Sequence, residues 1–396
     1  MTPPAPDAIA TRLREPGTVL LDTAKRDDGE PGGCLLFANP VRHIVAESVA
    51  DVMPALHRAQ AAVDAGRYIA GFVSYEAGAA CCGLSPAHAG PEPLLWFGVY
   101  DAPAAIDLPE ADTPVWIGDR RLAIARDAYA EAIGRIKDHI REGDVYQVNF
   151  TTSLRFPYRG DPFALYRALR SRQRVAYGAY VPRPGGAMLS FSPELFFRID
   201  GDRITARPMK GTVRRGADAA DDARLGAWLL ADEKNRAENL MIVDLLRNDL
   251  SRVCEVGSVE VPALFSLERY ETLFQMTSTV TGRLRPNVDL PALFEALFPC
   301  GSITGAPKRS AMQRIAALET GPRGVYCGTI GFVAPGGDAV FNVAIRTLAL
   351  RDGEGVMGVG SGIVWDSDAG AEYDECLLKG AFLGEIAPSP ALPVRG

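Results

Sequence analysis

Residues 206–216 read A-R-P-M-K-G-T-V-R-R-G and place one lysine, Lys210, between an extended segment and a glycine-threonine turn. Met209 and Val213 are apolar, so the backbone beside Lys210 is expected to be anchored in an interior, with its amine entering a partly buried site. Burial penalises the charged ammonium, and a neutral amine is a nucleophile. Taken alone, eleven such residues more often form a surface turn with a solvated lysine. The rest of the chain has to decide between the two.

The chain has 396 residues, enough for one large domain or two tightly joined ones. Its 47% hydrophobic content is ordinary for a soluble globular protein. A net charge of −7 argues against nucleic acid as the main partner. The first residues lack the basic start and apolar run of a signal peptide, and no apolar run approaches membrane-spanning length. The expectation is a cytoplasmic protein with no membrane association. Seven scattered cysteines without C-x-x-C spacing point to reduced thiols. The four histidines are His43, His57, His88 and His139. A Ser-His-Asp triad or multi-histidine metal site in the later two-thirds is therefore excluded unless the first third reaches in. Acid–base work there falls to carboxylates, lysine or tyrosine.

Periodicity predicts helices over 50–65, from Asp127 to the stop at Gly143, from Asp161-Pro162 to Arg172, over 232–253, over 290–297, from Pro307 to Leu318 and over 368–382. Strands are expected over 68–75, 144–154, 175–181, 187–191, 195–199, 203–207, 325–333, 339–350 and 355–364. Runs of strands with hairpin-length connections argue for an α+β fold and against a doubly wound parallel sheet. A proline-rich stretch before residue 120 suggests a junction, dividing the chain into a strand-rich 1–120, a catalytic 121–388 and a frayed tail at 389–396.

Four further stretches carry candidate chemistry. In 232–249, Asn235 and Glu238 share a helix face with Ile242 and Leu245. A carboxylate there needs a partner, either a salt bridge to Arg247 or Arg252 or a bound cation. In 300–310, a glycine-rich turn leads into a helix start that favours a nearby anion, but it is not a P-loop. In 358–364, closely spaced glycines let a ligand or backbone approach, without matching a dinucleotide fingerprint. In 372–379, Glu372, Glu375 and Lys379 follow one face. They are either a solvated face or a hard-cation site with a carboxylate-binding lysine beside it, and Glu238 and Glu375 on separate helices would suit magnesium.

Together these stretches resemble the chorismate-utilising enzymes, which include anthranilate, aminodeoxychorismate, isochorismate and salicylate synthases. The resemblance runs through F-S-P-E-L-F, P-M-K-G-T, A-E-N-L-M-I-V-D-L-L-R-N-D, G-S-I-T-G-A-P-K, R-G-V-Y-C-G-T-I-G, A-I-R-T, G-S-G-I-V and E-Y-D-E-C-L-L-K, in family order over about 125–385. It implies a large two-subdomain sandwich of mostly antiparallel sheets flanked by helices, like anthranilate synthase component I. Anthranilate synthases carry alanine where this chain has Lys210, and aminodeoxychorismate synthases carry lysine, so the chain is similar to component I of the second branch.

The resemblance implies that chorismate is aminated to 4-amino-4-deoxychorismate for 4-aminobenzoate and folate synthesis. Lys210 would add at C2 and Glu194 would be the general acid. Mg²⁺ would sit on Glu238 and Glu375. Gly211, Thr212, Gln275, Tyr326, Arg346, Gly360, Ser361, Gly362 and Lys379 would bind substrate. No glutaminase signature is present, so ammonia would come from a glutamine amidotransferase subunit, and an aminodeoxychorismate lyase would act on the product. Two positions depart from the family: Gln275 stands where many members have histidine, and Asn235 where anthranilate synthases often have glutamate. Gln147 stands where isochorismate synthases use a lysine base, which argues against that reaction. The tryptophan-pocket motif L-L-E-S of the family reads Leu20-Leu21-Asp22-Thr23 here. The alternatives are an anthranilate synthase component I and a non-catalytic chorismate- or tryptophan-binding scaffold of the same fold.

Overall fold

The computed structural model of the protein describes residues 6–25, 33–85, 88–110, 113–270, 273–384 and 386. Two sheets organise the chain, one of 11 strands and one of 10. The long pair Gln147–Arg159 and Glu354–Ile363 shows the pattern, with Val148 opposite Ile363 and Pro157 opposite Glu354 in an antiparallel ladder. The α+β expectation holds. The sheets face each other across a core in which Phe37 of one lies 5.5 Å from Tyr100 and 5.6 Å from Phe332 of the other, between ring centroids. Strands from the first 106 residues enter both sheets: Val19–Thr23 pairs with Tyr177–Arg183 in the first, and Tyr68–Val73 pairs with Thr329–Val333 in the second.

Alternating apolar positions and turn residues explain most of the elements. Asp161 caps the helix Pro162–Arg172, accepting from Phe163 N at 2.8 Å and Ala164 N at 3.1 Å, with Pro162 at the position that needs no donor. The helix Leu290–Leu297 is bounded as its periodicity predicts. The tail expected to fray lies beyond the last described residue. Among the described residues no helix is long and apolar enough to cross a membrane. All seven cysteines are free.

The chain crosses between the sheets twice, and one crossing corrects the reading of a continuous strand. The segment expected as one strand over 339–350 is two, Ala339–Asn342 in the ten-stranded sheet and Thr347–Arg351 in the eleven-stranded one. Arg346, with φ +49°, sits at that crossing. Gly186–Ser192 and Leu195–Asp200 likewise lie in different sheets, so Pro193 and Glu194 make a second crossing. The helix Ala219–Ala231 and the strands Glu260–Arg269 and Leu273–Arg283 have no counterpart among the expected elements. The first of these strands alternates exposed and half-buried residues, which hides it from a hydrophobic reading.

Candidate active site

Lys210 lies on Met209–Arg214, an end strand of the ten-stranded sheet. The glycine-threonine turn expected there is an irregularity within this strand, where pairing with Leu273–Arg283 shifts between Met209 and Thr212. Gly211 takes φ +83°, a conformation costly for a residue with a Cβ. A Cβ there would also stand 2.9 Å from Asn235 Oδ1. Gln275 braces the irregularity from both ends of its amide, donating to the Gly211 carbonyl at 2.8 Å and accepting from the Thr212 hydroxyl at 2.9 Å. Gln275 thus supports the lysine's own backbone.

The half-buried Lys210 reaches across to the other sheet. Its Nζ lies 3.2 Å from where a Cβ on Gly362 would stand, and that same point is 1.8 Å from Gln147 Nε2. Gly362 pairs with Asn149 in the eleven-stranded sheet. Burial lowers the lysine's pKa below its ordinary value, against Glu238 and Glu194, which favour the ammonium.

Glu194, 3% exposed, is the acid at the crossing. Ser192 fixes the turn: its hydroxyl accepts from Glu194 N at 3.1 Å and donates to the Val343 carbonyl at 2.6 Å. Burial pushes the Glu194 carboxyl up to about 7, opposed by a hydrogen bond from Ser302 and by Lys210. Its Oε1 is buried without a hydrogen-bond partner, as are Gln147 Oε1 and Arg346 Nη1. Orphaned buried polar atoms are rare in folded proteins and call for a ligand or a functional reason.

Glu238, on the helix Glu233–Ser251, is half-buried, and its pKa is raised by burial and by Glu372 and Glu375 while Lys210 and Lys234 lower it. The salt bridge considered for it does not form: Arg247 pairs with Asp244 at 2.9 Å, and Arg252 donates to the carbonyls of Glu295 and Ala296. Lys379, on the helix Ala369–Lys379, donates to the Gly360 carbonyl at 2.5 Å and pairs with Glu375 at 2.7 Å. Ser361 donates to the buried carboxylate of Glu372. Tyr326 packs on Gly358, where a Cβ would meet its ring at 2.0 Å.

Lys210, with its pKa lowered by burial, thus lies within electrostatic reach of Glu194, Glu238, Glu375 and Lys379. The family described as chorismate binding enzyme matches residues 103–385. The chain belongs to the chorismate binding enzyme family.

Among its relatives, the aminodeoxychorismate synthase of Streptomyces pristinaespiralis is 46% identical over 273 residues, covering 69% of this chain and 38% of that protein. Aminodeoxychorismate synthase component 1 of Klebsiella aerogenes is 41% identical over 286 residues, covering 72% of this chain and 62% of that protein. The matched stretch thus spans less than two thirds of either relative. The crystal structure of anthranilate synthase component I from Streptococcus pneumoniae TIGR4 superposes with a TM-score of 0.77 at 26% identity, covering 91% of this chain and 93% of that one.

In this chorismate binding enzyme family member, the carboxylates of Glu372 and Glu375 add to burial in raising the pKa of Glu238, so positive charge is favoured beside it. They are not drawn into a tight cluster. Among the described residues, the one set of three ligand atoms within 4.8 Å of one another is His139, Glu142 and Asp144. Magnesium commonly takes only one or two protein carboxylates, with water and substrate completing its shell, so the open arrangement fits.

Glu372, which the sequence groups with Glu375 and Lys379 as a solvated face or a cation site, is buried, whereas Glu375 is exposed. Ser302 is read from the sequence as part of a helix-entry turn, and only the fold brings it to Glu194. In the segment that resembles the tryptophan motif, the Asp22 carboxylate accepts from the Tyr166 hydroxyl at 2.9 Å and pairs with Arg170.

Proposed function

We propose that the protein aminates chorismate at C4, giving 4-amino-4-deoxychorismate with the pyruvyl group retained. The observation that carries this reading is the lowered pKa of Lys210 beside the raised pKa of Glu194, two groups pushed toward a neutral amine and a neutral acid. The Lys210 amine adds to C2 of the ring, the double bonds shift, and Glu194 gives its proton to the C4 oxygen, which leaves as water. Ammonia adds at C4, the bonds shift back, and Lys210 is expelled from C2. The ammonium now on C4 returns a proton to the Glu194 carboxylate. Arg346, through its unpartnered Nη1, and the Gly360–Gly362 strand receive the substrate's carboxylates. Glu238 and Glu375 would hold Mg²⁺, which supplies positive charge for the ring carboxylate.

A glutamine amidotransferase subunit supplies the ammonia in this reading. The name of the Klebsiella aerogenes relative, a component 1, is consistent with a two-component enzyme. A lyase would carry the product to 4-aminobenzoate and folate.

The test is a product assay with purified chain, chorismate, Mg²⁺ and ammonium. The expected product yields 4-aminobenzoate when an aminodeoxychorismate lyase is added, and nothing fluorescent before that. Direct appearance of anthranilate fluorescence would overturn this reading in favour of the reaction named for the Streptococcus pneumoniae structure.

A further inference from the structure

Lys379 is the last residue of the helix Ala369–Lys379 and reaches the strand Glu354–Ile363. Its ammonium donates to the Gly360 carbonyl at 2.5 Å and pairs with Glu375, one helical turn earlier, at 2.7 Å. An ion pair between residues four apart on a helix surface is common and weak. This one has a further anchor, because the Gly360 carbonyl belongs to another element. The anchor holds a positive charge against the carboxylate that would otherwise be open to a metal ion.

We propose, resting on the reading of Glu238 and Glu375 as magnesium ligands, that Lys379 is a latch on the metal site. Its ammonium holds the Glu375 carboxylate until a divalent cation displaces it, and then turns toward the substrate. An ammonium and a divalent cation are competing counter-ions for one carboxylate, since two positive charges brought onto the same group repel each other. The surroundings favour the exchange. Glu372 and Glu375 crowd negative charge around Glu238, which a single ammonium on Glu375 offsets only in part.

The exchange does not cast Lys379 loose. An ammonium has three donors, and the one on Gly360 is independent of Glu375. The freed donor therefore stays beside the Gly360–Gly362 strand, where the proposed reaction places a substrate carboxylate. A carboxylate arriving there draws the ammonium from Glu375 and opens the metal site, and by linkage the metal ion favours the carboxylate equally.

The test is calorimetric titration of the full chain with Mg²⁺, without chorismate or ammonium, so its outcome is independent of which product the enzyme makes. Lys379→Gln should bind Mg²⁺ at least about tenfold tighter than the unaltered chain, an ordinary size for coupling between two sites. Lys234→Gln is the control, because Lys234 is an exposed lysine that also favours the charged form of Glu238. It should tighten binding by less than about threefold, the scale of an exposed charge. Equal tightening in both variants would reduce the effect to long-range charge and overturn the latch. Lys379→Gln binding no tighter than the unaltered chain would overturn it too. A crystal structure with Mg²⁺ should show Lys379 Nζ still on the Gly360 carbonyl and out of reach of Glu375, and the intact ion pair beside a bound metal ion would sink the proposal. Glu375→Gln separates the latch from the metal site itself. If that variant binds Mg²⁺ as well as the unaltered chain, Glu375 is no ligand and both readings fall. If it binds more weakly while Lys379→Gln changes nothing, the latch alone falls.

Discussion

The amine of Lys210 ends 3.2 Å from the point a Cβ on Gly362 would occupy, although the two residues belong to different sheets. An end strand of the ten-stranded sheet thus leans a long side chain onto a side-chain-free position of the other. Gly362→Ala should therefore cut amination at least tenfold, because the new methyl group collides with Gln147 Nε2 at 1.8 Å and crowds the lysine. The obstacle is a side chain that can move, so the fold should survive, and Gln147→Ala in the same chain should recover lost thermal stability. Gly360→Ala differs: its Cβ would stand 2.3 Å from the Phe150 carbonyl, in backbone. Its stability in a denaturant titration should fall by about 1–3 kcal/mol.

Substituting Lys210 by alanine should remove any covalent adduct with chorismate visible by intact-mass measurement. Amination should fall by several orders of magnitude while binding of chorismate persists. An unchanged rate would mean that this amine is not the nucleophile. Glu194→Gln, which keeps shape but not the proton, should cost about 10²–10⁴-fold in kcat.

Burial pushes the Glu194 carboxyl up to about 7, so the proposed general acid should act below that value and fail above it. The alkaline limb of the rate profile should fall through about 7 in the unaltered chain and flatten in Glu194→Gln. Stability follows the same sign. A carboxyl whose folded pKa is raised binds more protons in the native state. Its contribution is therefore fully present below the unfolded value of about 4.5 and lost as pH rises through about 7. Chemical denaturation at pH 5 and pH 8 should show this loss in the unaltered chain and a smaller one in Glu194→Gln.

Chelation of magnesium should stop amination, and restored Mg²⁺ should return it. Glu238→Gln and Glu375→Gln should each move the magnesium requirement to higher concentration, read by titration of the rate and by calorimetry with Mg²⁺ and substrate. A chain as active after exhaustive chelation as before would show that the carboxylates serve another purpose.

Arg323→Leu should destabilise the protein by about 3–5 kcal/mol, the usual consequence of stranding a buried carboxylate. The pair is nearly inaccessible, with side chains 2% and 5% exposed. Glu319→Leu together with Arg323→Leu should cost less than Arg323→Leu alone, because no charge is left uncompensated. Urea unfolding of the three variants checks this.

Helix boundaries were the most legible part of the chain. Asp161-Pro162 and the run 290–297 carry capping residues and a 3.6-residue period, which are local signals. The family was legible in the order of motifs, which the match over residues 103–385 bears out. Strand continuity was not legible. Residues 339–350 are mostly apolar and read as one extended run, yet the chain changes sheets at Arg346. Periodicity reports which residues are buried and not which sheet buries them. Gln275 is a similar case, since its residue type said it could hydrogen-bond and only the fold shows both ends engaged by Gly211 and Thr212.

By itself, then, the sequence determined the family of the protein, its α+β class and the residue types available for chemistry, since these depend on composition, local periodicity and the order of motifs. Only the tertiary structure decided that Lys210 meets Gly362 and Gln147, that Glu194 sits at a crossing between sheets, that Ser302 reaches Glu194, and that Ser361 donates to Glu372. Desolvation and close approach are properties of neighbours distant in sequence. The pKa shifts at Lys210 and Glu194 come first from burial, and burial exists only once the two sheets have closed on each other.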